Sequence, residues 1–135
     1  MASENEELYR RGVDAFNRRD KEAWLEICDP EIESFPPREW PEPASVKGTD
    51  AVWDIIVDNM AIFDSAELKV VGPIEEGEGT LVALLQAEVV GRESGAAAVW
   101  SFHHLVTFRD GKAVRFDWFT ERDEALEAAG IGADG

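Results

Sequence analysis

The run Val99–Glu121, VWSFHHLVTFRDGKAVRFDWFTE, constrains this chain more than any other. It reads as two long antiparallel strands joined at Arg109-Asp110-Gly111-Lys112, where the Asp-Gly pair supplies the positive φ of a tight hairpin. Side-chain chemistry selects the register. A two-residue loop continued as a regular ladder sets Phe116 and Trp118 beside Leu105 and His103, which scrambles apolar and polar faces. A three-residue loop with a glycine bulge instead places His103 opposite Asp117. Trp100, Phe102, His104, Val106 and Phe108 then share a face with Val114, Phe116, Trp118 and Thr120. One face is nearly all apolar and the other mixed, as a half-buried antiparallel sheet requires, so this register is expected. It leaves His104 as the one ionisable group on an aromatic inner face.

The elements upstream give that face something to pack against. Ser3 and Glu6 have capping-box spacing, and Leu8, Tyr9, Gly12, Val13, Ala15 and Phe16 recur at helical spacing behind them. Asp20 caps a second helix, Lys21–Cys28, which Asp29-Pro30 ends. A short strand, Glu31–Phe35, runs into a proline-rich loop in which Trp40 either covers the core or forms a pocket lid. The main helix starts at Lys47-Gly-Thr-Asp50 and turns Val52, Trp53, Ile56, Val57, Met60 and Phe63 inward. Strands are expected at Glu67–Ile74 and Thr80–Arg92, separated by an acidic loop. Arg122–Ala129 forms a terminal helix stopped by Gly130. Segregated helices and strands predict an α+β domain whose curved sheet wraps the helices, with a cavity between the concave sheet and the long helix.

With 135 residues, five Trp and seven Phe, the chain can bury one sizeable core, and residues 1–135 are expected to be a single domain. A net charge of −16 repels nucleic acid and anionic lipid, so neither a nucleic acid nor a membrane is an expected partner. The only basic cluster, Arg10, Arg11, Arg18, Arg19 and Lys21, lies near Glu4, Glu6 and Glu7 and reads as a solvated, salt-bridged face. The polar, acidic start does not resemble a leader peptide, and the lone Cys28 cannot form an intrachain disulfide; a cytoplasmic location is expected. His103 and His104 point to opposite faces of a strand and cannot share a metal, so no metal or other cofactor is expected.

Candidate site residues follow from these faces. His104 is the candidate catalytic group, since an imidazole titrates near neutrality and can relay a proton or orient a polar ligand. Desolvation on an aromatic face favours its neutral form. Glu33 is the fallback acid, with Ser34 beside it on the first strand. Leu81, Ala83, Leu85, Ala87 and Val89 form an apolar inner face, which puts Gln86 and Glu88 outside. The aromatics Phe16, Trp40, Trp53, Trp100, Phe102, Phe116 and Trp118 are core by default. All but Trp100 are taken as candidate substrate-binding residues.

The paired N-terminal helices, the long helix opened by Lys47-Gly-Thr-Asp50, the Phe108–Phe116 hairpin and the closing Arg122–Ile131 resemble the SnoaL-like branch of the NTF2-like superfamily over almost the whole chain. The resemblance implies a half-barrel with a short C-terminal helix, a metal-free pocket and a homodimer joined through the outer sheet face. It also implies where catalytic groups would stand. His104 matches the pocket histidine of the polyketide cyclases, but their acid falls on Trp118. The charged positions of the limonene-epoxide hydrolases fall on Leu85, Ala87 and Trp118, and the base of the ketosteroid isomerases falls in Ser34-Phe-Pro-Pro. The isomerases' helical Tyr falls near Gly12. Two functions are expected on this basis. One is a metal-free acid/base isomerase, cyclase or dehydratase acting on a small apolar or aromatic molecule through His104; the other is a non-catalytic ligand-binding or structural dimer module.

Overall fold

The computed structural model describes residues 3–37, 45–61, 63–92 and 94–131. In chain order these form α1 (Glu4–Asn17), α2 (Lys21–Leu25), β1 (Cys28–Phe35), β2 (Val46–Lys47), α3 (Thr49–Ala61) and β3 (Phe63–Gly77). They continue with β4 (Thr80–Gly91), β5 (Ala97–Arg109), β6 (Lys112–Phe119) and α4 (Arg122–Ala129). The strands make one curved, open sheet in the order β2-β1-β6-β5-β4-β3. The last four strands are the expected antiparallel meander, and β1 adds in parallel beside β6. The result is the α+β half-barrel.

Local chemistry accounts for the element ends. Ser3 caps α1 by accepting the Glu6 N–H at 3.0 Å, and Asp20 caps α2 by accepting that of Ala23 at 3.2 Å. Gly130 closes α4 in the left-handed conformation, with φ 75°. Three expected boundaries move. The second helix stops at Leu25, and β1 starts at Cys28 and runs through Asp29-Pro30; the β1–β6 ladder is irregular between Cys28 and Glu33, where Pro30 need not donate. β3 extends through Glu75 and Glu76, which pair with Val82 and Leu81, so the acidic loop shrinks to the turn at Glu78 and Gly79. Phe63 opens β3 and is not part of the α3 stripe.

The hairpin register also needs correction. Asp110 and Gly111 have φ of 54° and 76°, the two positive values of a two-residue turn whose twist matches the strands. The extra residue is Val114, bulged from β6 between Ala113, opposite Phe108, and Arg115, opposite Thr107. Beyond the bulge His104 faces Trp118, Val106 faces Phe116, and His103 faces Phe119 rather than Asp117. The expected sharing of a face by His104, Val106, Phe116 and Trp118 holds, because the bulge resets the alternation. Ala113 takes the inward place expected of Val114.

The two faces of the sheet are covered differently. On the concave side Phe16, Trp24, Val52, Trp53 and Met60 pack against Ile32, Leu81, Ala83, Ala87, Val89, Val106 and Phe116. On the convex side α4 lays Ala125, Leu126 and Ala129 over Val82 and Leu105. Leu105 is therefore 3 % exposed and offers no outer surface. The first half of β5 runs past both layers, leaving Val99 and Trp100 exposed, so Trp100 is not core. Asn17 ties the end of α1 to the edge strand β3. Its amide accepts the Leu68 N–H and donates to the Leu68 carbonyl, both at 2.8 Å.

Candidate functional site

α1 crosses the concave face and leaves a cavity of about 40 Å³ beneath it. Its wall is made by Leu8, Tyr9, Gly12, Val13 and Phe16 of α1, with Leu85, His104, Phe116 and Trp118 among the facing sheet residues. α3 contributes only Ile56, so the cavity lies under the first helix and not, as expected, under the long one. Gly12 permits the close approach: a Cβ there would meet Ile27 Cδ1. The lining is almost entirely carbon.

His104 is the polar exception, only 4 % exposed. Its Nδ1 lies 3.0 Å from the Tyr9 hydroxyl, while its Nε2 has no hydrogen-bond partner. The ring is held flat against Trp118, with centroids 3.8 Å apart and planes 10° from parallel, and Phe116 meets it edge-on at 4.7 Å. Burial pushes the imidazole pKa down to about 3 and the Tyr9 phenol far above its ordinary value, so both are neutral at neutral pH. Trp118 is itself anchored, its indole N–H donating to Ser34 Oγ at 3.0 Å.

The expected site residues divide into groups. Phe16, His104, Phe116 and Trp118 meet at the cavity. Trp53 stands behind it, against Phe16 at 5.5 Å and Trp24 at 5.2 Å, and Phe102 touches Trp118 edge-on at 6.0 Å. Trp40 lies outside the described residues. Glu33 is not brought to the cavity; it alternates with the buried Ile32 and Ser34 and sits beside Lys47 and Arg115 on the other side of the ladder. His103, one residue from His104, is half-buried near Arg122, and Asp117 binds Arg115 through two hydrogen bonds of 2.8 and 3.1 Å.

Tyr9 is the residue that sequence reasoning placed in the helix stripe without a role. A phenol on the buried side of an amphipathic helix needs a polar partner, and the one histidine on the opposing face was the available signal. Elsewhere three residues of the basic cluster form ion pairs: Arg10 with Glu6, Arg18 with Asp14 and Asp20, and Lys21 with Asp50. Among the described residues no group of three His, Cys, Asp or Glu side chains could hold a metal ion, and no helix is long and apolar enough to cross a membrane.

The SnoaL-like domain model matches residues 9–116. No curated protein matches the chain. Many solved structures share its fold. An NTF2-like protein of unknown function from Burkholderia pseudomallei is 23 % identical with a TM-score of 0.74, the match covering 95 % of this chain and 98 % of that one. TerC, co-crystallised with polyporic acid, is 22 % identical with a TM-score of 0.74 and coverages of 94 % and 98 %. A Mycobacterium tuberculosis protein in complex with estradiol-17beta-hemisuccinate is 12 % identical with a TM-score of 0.73 and coverages of 90 % and 97 %. At these identities the likeness is one of fold.

Proposed function

The chain belongs to the SnoaL-like domain family, and from that premise we propose that it binds a small, largely apolar molecule in the cavity under α1, with His104 as the polar contact. One observation carries this reading: His104, more than nine-tenths buried and with no partner for its Nε2, lines an otherwise carbon-lined cavity. Buried polar atoms are nearly always satisfied, so an orphan at a cavity calls for an occupant. Water suits it poorly, since a buried water needs two to four polar partners. The ligands crystallised with the two neighbours above are organic molecules held by the same fold, which supports a ligand of that general kind.

Binding is favoured over acid/base catalysis by the state of His104. An imidazole held neutral down to about pH 3 is not the imidazolium a general acid would need at neutrality and is a weak base. The partner position across the hairpin is Trp118, and Glu33 faces away. Isomerisation, cyclisation or dehydration through His104 is the second reading, favoured by its being, with Tyr9, the titratable part of the cavity wall. The proposal extends to a cytoplasmic, single-domain homodimer joined through the convex face, a reading supported by Val99, 56 % exposed on β5.

Native mass spectrometry of the protein purified from its host tests both proposals in one spectrum. A dimer with a discrete adduct is expected, and Val13→Trp, which fills the cavity from α1, should remove the adduct while leaving the dimer. An adduct that survives Val13→Trp places the ligand elsewhere. A ligand-free monomer overturns the dimer and removes support for the cavity.

A further inference from the structure

We propose, resting on the ligand-binding reading, that Tyr9 locks His104 in the tautomer protonated on Nε2, so that the cavity presents a fixed hydrogen-bond donor and selects neutral molecules with a bare acceptor oxygen, such as a ketone, aldehyde or ether. The argument is a count of orphans. Tyr9 and His104 are 5 % and 4 % exposed, and the hydroxyl and Nδ1 lie 3.0 Å apart. If the phenol donates to Nδ1, the ring proton sits on Nε2 and that single N–H lacks a partner. If instead Nδ1–H donates to the phenol oxygen, the phenol proton and the Nε2 lone pair are both left without one. Each unsatisfied buried group carries its full desolvation penalty, so the first arrangement is preferred. A third arrangement, with the imidazolium donating from both nitrogens, is opposed by the burial that keeps the ring neutral.

The ring cannot easily change what it presents. Trp118 stacks on one of its faces and Phe116 closes on it edge-on, so the imidazole is clamped while Tyr9 holds Nδ1. A ligand that reaches Nε2 therefore meets an N–H and not a lone pair. A carboxylate would bring an unpaired charge among lining residues that include neither Lys nor Arg. An alcohol would accept the N–H but add a hydroxyl proton to a wall that is almost all carbon. A carbonyl or ether oxygen satisfies the donor and adds no proton of its own. Tyr9 is in this scheme a positioning residue, acting on the ligand only through His104.

Two measurements on the full chain test it, and they fail separately. Long-range proton–nitrogen NMR of the histidine rings, recorded without ligand, reports the tautomer. The His104 pattern is expected to show a protonated Nε2 and an acceptor Nδ1, becoming a mixture in Tyr9→Phe; a protonated Nδ1 in the native chain overturns the proposal. The second measurement compares 2-butanone with 2-methyl-1-butene, which has the same shape but a CH2 in place of the oxygen, by methyl shift titration. The ketone is expected to bind about tenfold more tightly, the scale of one net hydrogen bond. The ratio should fall toward one in Tyr9→Phe. Equal binding of the two in the native chain overturns the acceptor preference but leaves the ligand cavity standing. Binding of neither overturns the ligand-binding reading and the selectivity built on it, whatever the tautomer.

Discussion

His103 and His104 are neighbours in sequence and belong to opposite sides of one sheet, and the two sides are built on different terms. On the convex side α4 packs small and medium aliphatic side chains on Val82 and Leu105. The concave side is built from rings, which meet at edges and faces and leave a space lined by His104, whose Nε2 is unsatisfied. Packing of the first kind contributes stability and holds no polar atom in reserve. Packing of the second kind gives up some stability to keep a polar atom available, and the position of that atom is what a ligand would read.

Acid should break the concave side first, and with the largest effect. The folded pKa of His104 is about 3 against an ordinary value of 6.5, so between these values the unfolded chain binds the proton and the folded one does not. Stability from this group is complete above pH 6.5 and is lost as pH falls toward 3. The slope approaches about 1.4 kcal/mol per pH unit, on the order of 5 kcal/mol over the window. Urea midpoints from pH 7 to pH 4 should show this slope shrinking in His104→Phe and nearly unchanged in His103→Phe. Equal slopes in all three proteins would mean that His104 is protonated in the folded state.

The convex side should fail by a different route. Leu126→Ala removes the 2 % exposed anchor of α4, at a cost of about 2–5 kcal/mol that does not depend on pH. Hydrogen exchange should show the α4 amides opening while those of β5 near His104 stay protected. Coupled loss of both would show that the two faces are one cooperative unit. The smallest effect sharpens the contrast. Gly12→Ala gains about 1 kcal/mol of helix propensity but drives the Ile27 methyl toward the cavity, so net stability should change by less than about 1 kcal/mol. The cavity should shrink all the same, and weakened binding of 2-butanone with an unchanged melting temperature is the expected signature.

The parts of this molecule that were legible in its sequence are those governed by short-range rules. Ser3, Asp20 and Gly130 marked helix ends because capping is local. Alternation put Leu81, Ala83, Leu85, Ala87 and Val89 inward, and all five are buried. Asp110-Gly111 identified the hairpin. Its register was missed by one detail, since alternation gives the parity of a strand but not the place where a bulge adds a residue. The Tyr9–His104 contact joins residues 95 apart, and the position of α1 over the sheet is fixed by packing that no window of sequence contains. The same holds for Glu33: its strand was recognised, but the face it takes was decided by the parallel pairing with β6, which sets Ser34 opposite Phe116 and Glu33 opposite Arg115.

The bulge at Val114 has a consequence for how a chain of this kind can vary in length. Between Ala113 and Arg115 one residue is surplus to the ladder, so a deletion there would leave every pair beyond it in place and both rings under His104. The same deletion at Asp117 would make Phe116 and Trp118 adjacent and send them to opposite faces. Single-residue gaps in the hairpins of descendants should therefore gather at this one spot, and elsewhere in these strands length should change two residues at a time.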